Sequence, residues 1–122
     1  MPIDIEVGLN EKLISTAEAI KQVGKSTVVV EMTVKKAKDR LEKRGILYLD
    51  SEDDPKDKNN LGIAISTEAA AQLRKNGIAD PAKHFEGKQI RVRGCVMRFE
   101  ERYYLPVLDI SQIQAIVDKV PK

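Results

Sequence analysis

Positions 35–44 hold six basic residues, Lys35, Lys36, Lys38, Arg40, Lys43 and Arg44, against two acids, Asp39 and Glu42. Beside phosphates, such a cluster displaces condensed counterions and gives salt-sensitive affinity that ignores sequence. In water, the same residues can instead pair with Asp39 and Glu42, each exposed pair contributing about 0–1 kcal/mol. Arg91 and Arg93 alternate along a later run and extend the positive character. Phe99, Tyr103 and Tyr104 interleave with Arg98 and Arg102, a pattern that can stack a base or sugar ring or form cross-strand pairs.

Other chemistry is poorly supplied. His84 is the only histidine and Cys95 the only cysteine, so neither a zinc cluster nor an internal disulfide can be assembled. His84 beside Phe85 reads as a packing or capping residue, and Cys95 as a partly covered thiol without a partner base. No Gly-x-Ser-x-Gly elbow or phosphate-cradling Gly-x-x-x-x-Gly-Lys loop is present. Asp50, Glu52, Asp53, Asp54 and Asp57 invite a calcium reading, but Pro55 and Leu61 stand where such a loop needs glycine and glutamate. The expectation is a solvated loop, no enzyme, no metal and no cofactor.

The elements that must carry these residues follow from periodicity. At 122 residues the chain has the length of one domain, and 42% hydrophobic with 33% charged residues excludes a disordered composition. A net charge of +2 is too small to imply a polyanion partner unless the charge is clustered. Residues 1–12 read as an extended lead-in, 13–118 as the domain and 119–122 as a tail. No leader is expected in the first ten residues and no run is long enough to span a membrane, so the default expectation is a cytoplasmic protein without membrane insertion.

Ser15 and Glu18 are spaced as a capping box for a helix over 16–23 that stops at Gly24. Period-two alternation then predicts strands over 27–34, 46–50, 61–66, 89–99 and 103–109 and a short strand ending at 117. Thr67 is expected to cap a helix over 68–75, and Asp80-Pro81 to start a further helical turn that brings in Phe85. Gly94 inside the fourth strand predicts a bend. Residues 35–44 and 51–60 fall in connecting loops. Five strands with a helix between the third and fourth fit an all-β domain with minor α, a five-stranded Greek-key barrel of the oligonucleotide/oligosaccharide-binding (OB) kind.

Several segments carry a resemblance: Glu18-Ala19, Val23-Gly24-Lys25, Asp50-Ser51 with Asn59-Asn60, Phe85-Glu86-Gly87-Lys88-Gln89-Ile90-Arg91-Val92-Arg93-Gly94 and Asp109-Ile110-Ser111-Gln112-Ile113. Over residues 13–117 the chain resembles bacterial OB-fold nucleic-acid-binding-type domains, which stand alone or accompany nucleases. The resemblance implies a nucleic-acid-binding-type module, and the basic run adds the expectation of a non-catalytic protein that binds single-stranded DNA or RNA weakly and without sequence preference. The contacts expected are Lys35, Lys36, Lys38, Arg40, Lys43 and Arg44, helped by Tyr48, Arg91, Arg93 and Tyr104. The alternative is a protein-interaction or self-association module using Ile46, Tyr48 and Ala64 on the outer side of the second and third strands.

Overall fold

The computed structural model of the chain describes residues 13–24 and 27–116. The expected lead-in over 1–12, the end of the strand predicted to reach 117, the tail and Lys25 of the resemblance lie outside them. The chain is mostly β, with strands β1 (Leu13–Ile14), β2 (Val28–Thr33), β3 (Lys36–Arg40), β4 (Ile46–Asp50), β5 (Leu61–Ser66), β6 (Gln89–Gly94), β7 (Met97–Phe99), β8 (Arg102–Val107) and β9 (Ile113–Ala115). Among the described residues four short α-helices accompany them, α1 (Thr16–Ile20), α2 (Leu41–Arg44), α3 (Thr67–Lys75) and α4 (Pro81–Phe85), with a 3-10 turn over Ile110–Gln112. The architecture is consistent with an OB-like fold.

Pairing runs in two mixed sheets, ordered β1-β2-β6-β9 and β3-β4-β5-β8-β7, and not in one ring of five strands. One of the predicted strands, 89–99, is divided between them, passing from β6 into β7 across Cys95 and Val96, and the predicted strand 27–34 ends where the chain passes from β2 into β3 across Val34 and Lys35. The break at Cys95 and Val96 adjoins Gly94, where an added Cβ would lie 2.6 Å from Leu105 Cδ2. Glycine there lets the β6 backbone press onto a fully buried side chain of the other sheet.

Alternation predicts the core well. Val28, Val30, Met32 and Val34 are buried, as are Leu47 and Leu49 of β4, Leu61, Ile63 and Ile65 of β5, and Ile90 and Val92 of β6. Each large aliphatic side chain so buried contributes about 1.5–3 kcal/mol. The alternation then slips. Val34 and Ala37 both turn to the core, so one residue is inserted between them and the polar set Lys36, Lys38 and Arg40 faces outward.

Residues 35–44, expected to lie entirely in a loop, are instead strand and helix. Lys36–Arg40 pairs along its whole length with β4, and Leu41–Arg44 is a helical turn. An edge strand can be this charged because one side of its backbone has no partner to bury, and lysines there discourage further pairing.

The helix boundaries also differ. Ser66, not Thr67, caps α3, its Oγ accepting from Ala69 N at 3.1 Å, while the Thr67 hydroxyl donates to the Gly45 carbonyl at 3.0 Å. α1 ends at Ile20, followed by turn residues to Gly24.

Besides the shared core, a side chain bridges the two sheets. Gln112 Nε2 donates to the carbonyls of Arg93 on β6 (2.9 Å) and Pro106 on β8 (3.1 Å), while its Oε1 accepts from Leu108 N (2.8 Å) and Asp109 N (3.1 Å).

Candidate nucleic-acid interface

Directly opposed residues in paired strands point to the same face, so the register lays out the outer surface of the five-stranded sheet row by row. One row runs Lys38, Tyr48, Ala64, Pro106, and the next runs Lys36, Asp50, Gly62, Tyr104, Met97. Arg40 stands beside Ile46 at one end, and Arg102 beside Phe99 at the other. The inner sides of the same strands carry Leu47, Leu49, Ile63 and Leu105, all fully buried. This outer face therefore collects polar and aromatic residues from five separate stretches of sequence.

At its centre Tyr48 and Tyr104 approach to 5.9 Å between ring centroids with planes tilted by 49°, within the usual range for an aromatic pair. They sit on strands separated by β5, and only small residues there let them lean together. Gly62 supplies the space, since a Cβ on it would stand 3.2 Å from Tyr104 Cδ1 and 3.1 Å from Asp50 Oδ1. Ala64 is the corresponding small residue opposite Tyr48. Phe99, 67% exposed, and Met97, 55% exposed, continue the apolar surface toward β7.

Cations rim this platform. Lys36, Lys38 and Arg40 line the β3 side and Arg102 the β8 side. The pairing of basic residues with Asp39 and Glu42 is not formed: among the described residues the three β3 cations, Lys43 and Arg44 have no ion-pair partner. Asp39 instead accepts from Leu41 N at 3.0 Å. Lys35 is separate from the rim, because it occupies the inserted position and pairs with Glu52 at 3.3 Å.

Among the described residues Asp50 is the one acid on the face, 3% exposed. Burial pushes its carboxyl above the ordinary aspartate range, opposed by the Asn60 amide donating to Oδ1 at 3.2 Å and by the charges of Lys38 and Arg102. Asn60 in turn accepts from Ser51 Oγ and Glu52 N, so the base of the acidic loop is a buried polar network. Asp54 and Asp57 spend their carboxylates on turns, accepting from Lys56 N and Asn59 N. No group of metal-ligating side chains capable of holding an ion occurs among the described residues.

The remaining sequence candidates lie elsewhere. Arg91 and Arg93 are on the outer face of the four-stranded sheet, opposite Glu31 and Val29, and Arg91 pairs with Glu31 at 3.3 Å. They do not join Tyr48. Lys43 and Arg44 sit on α2, beyond the end of β3. Ile46, Tyr48 and Ala64 do share the tyrosine face.

Tyr103 turns inward, with the Arg98 guanidinium 6.0 Å from its ring centre. His84 packs edge-on against Phe85 with centroids 4.8 Å apart, and burial followed by the nearby Lys88 charge lowers its pKa. Cys95 is exposed, 3.7 Å from Thr27 Oγ1. The contributions of Met97, Phe99 and Arg102 to one face with Tyr48 become visible only with the β7–β8 register in hand.

No family model matches the sequence, and no curated protein does so. Solved structures share the fold. One neighbour is the Stn1-Ten1 complex from S. pombe, with a TM-score of 0.52 at 13% identity over 75% of this chain and 59% of that one. Another is a candidate aspartyl-tRNA synthetase from Leishmania major Friedlin, with a TM-score of 0.55 at 10% identity over 98% of this chain and 23% of that one. A third, the p204 HINb domain, aligns with a TM-score of 0.47 at 17% identity over 74% of this chain and 39% of that one. The chain thus spans less than two-thirds of each of these neighbours. Among the described residues no helix is long and apolar enough to cross a membrane.

Proposed function

We propose that this chain is a non-catalytic module that binds single-stranded nucleic acid, without sequence preference, across the outer face of the five-stranded sheet. On this reading the two sheets are one five-stranded Greek-key OB barrel whose first and fourth strands, 28–40 and 89–99, each bend across a corner. The observation that carries the function is the convergence of Tyr48 and Tyr104, 5.9 Å apart, inside a rim of Lys36, Lys38, Arg40 and Arg102. Bases stack on the rings at about 1–3 kcal/mol each, and phosphates meet the cations at the edge. The two tyrosines and Phe99 offer more stacking surface than a lone Tyr48 would.

Four cations at the rim predict a slope of log K against log salt near −3, at about −0.7 per phosphate contacted on a single strand. The test is a titration of a fluorescently labelled single-stranded oligonucleotide at several salt concentrations, repeated with Lys38→Glu/Arg40→Glu. Saturable binding with that salt slope, lost in the variant, supports the proposal. Absence of binding at low salt overturns it.

The exposure of Met97 and Phe99 on an edge strand favours a second reading, in which the same face, with Ile46, Tyr48 and Ala64, receives a protein partner or a second copy. A neighbour of this fold was solved as part of a protein complex. Such an apolar contact would persist at high salt, where phosphate binding collapses.

A further inference from the structure

Beyond the end of β3 the surface falls into an open depression of about 820 Å³, lined by Asp39, Arg40, Leu41, Glu42, Lys43, Arg44 and Arg74. Four of these seven are cations and two are acids. Local construction explains how Arg74, thirty positions on from Arg44, comes to be there. α2 ends at Gly45 with φ 70°, and the Gly45 carbonyl accepts the hydroxyl of Thr67, the first residue of α3. Arg74 lies seven residues after Thr67, which on an α-helix returns it to the same face about 10.5 Å further along the axis. The side of α3 fastened to the α2 turn therefore also presents Arg74 to that turn.

Ordinary structural roles do not consume these charges. Among the described residues Arg40, Lys43, Arg44 and Arg74 have no ion-pair partner, and Arg74 makes no side-chain hydrogen bond to the terminal carbonyls of its helix. Asp39 is occupied with the backbone of Leu41. Leu41, half-buried against the core, anchors the turn so that its basic residues are held outward.

We infer that this depression is a phosphate-binding subsite that receives the continuing backbone of a single strand after it leaves the tyrosine face. The inference rests on the sheet-face reading and adds to it. Arg40 is shared, closing the β3 rim and lining the depression, so the cationic track is continuous from Lys36 to Arg74. Crossing the sheet from β7 to β3 covers four strand spacings, about 19 Å, which suits a short segment of the kind one OB-sized face holds. A longer strand must pass over the α2 turn, where no aromatic side chain lines the surface and only its phosphates find partners.

The test compares thymidine oligonucleotides of five and ten nucleotides, binding to wild type, Arg44→Ala/Arg74→Ala and Arg44→Lys/Arg74→Lys, with melting curves confirming that each variant is folded. Wild type should bind the ten-mer more tightly than the five-mer and with a steeper salt slope. The alanine variant should bind the five-mer within about twofold of wild type, lose the gain with length, and show a ten-mer slope shallower by about 1.4, two contacts at about 0.7 each. The lysine variant should restore the gain. An alanine variant that keeps the length gain, or a wild type that binds both lengths equally, overturns the subsite and leaves the sheet-face reading intact. A wild type that binds neither length overturns both.

Discussion

Asp50→Asn separates the electrostatics of the sheet face from its shape. The carboxyl is almost wholly buried, faces Lys36 across the strand pair, and gives Oδ1 to the Asn60 amide. An asparagine keeps the volume and that acceptor and removes the charge. The size of the effect follows from Coulomb's law with the phosphate on Lys36 or Lys38 placed, as a working separation, roughly 8 Å from the carboxylate. Repulsion over that distance is about 0.5 kcal/mol in a water-like dielectric and about 2 kcal/mol at the effective value for protein surfaces. The substitution should therefore tighten single-strand binding by about two- to thirtyfold at neutral pH.

The pH dependence has a definite sign. Burial raises the folded-state pKa above the ordinary aspartate value of 3.8. The stabilisation from protonation is thus fully present below that value and is lost as pH rises through the folded pKa. Asp50→Asn should be more stable than wild type at neutral pH, and the difference should shrink as pH falls through that window. Fluorescence anisotropy and thermal melting between pH 4 and pH 7.5 measure both effects. Weaker binding by the variant at neutral pH would show the opposite, a carboxylate that contacts the ligand favourably.

Tyr48→Ala and Tyr104→Ala should each weaken oligonucleotide binding by about 1–3 kcal/mol with little change in salt slope, since stacking moves no counterions; anisotropy titrations at two salt concentrations check both parts. Gly94→Ala should destabilise the fold by about 1–3 kcal/mol through overpacking against Leu105 and lower the midpoint of a circular-dichroism melt by several degrees. Gln112→Glu should cost more than Gln112→Ala, because it turns a carboxylate toward the Arg93 and Pro106 carbonyls that now accept from the amide; urea denaturation of the two variants gives the order.

The sequence showed the fold wherever side chains alternate between core and solvent. Strands around Val30, Leu47, Ile63 and Val92 announce themselves, because burying one face demands apolar residues at every second position. Lys36–Arg40 carries no such signal. It is an edge strand whose inward positions are Ala37 and Asp39, and its pairing is dictated by β4. The division of the strand 89–99 at Cys95-Val96 also escapes, apart from the hint of Gly94, because apolar residues continue through that corner.

For the site, residue types were legible and their assembly was not. Lysines 36 and 38, Arg40, Tyr48 and Tyr104 stand out in the sequence, and the structure gathers them. Arg91 and Arg93 look equivalent to these by alternation but belong to the other sheet. The small residues Gly62 and Ala64 read as an unremarkable lighter face, yet they allow the two tyrosines to meet. Arg74 reaches the basic depression only through the attachment of Thr67 to Gly45, a contact 22 residues apart in the chain.

The most direct test of the location of the binding face is a nuclear magnetic resonance titration of isotope-labelled protein with a single-stranded oligonucleotide at low salt. The largest shifts are expected on the amides of Lys38, Tyr48, Gly62, Ala64 and Tyr104, with Glu31, Arg91 and Arg93 little affected. Shifts concentrated on Glu31, Arg91 and Arg93, with Tyr48 and Tyr104 unmoved, would contradict that location.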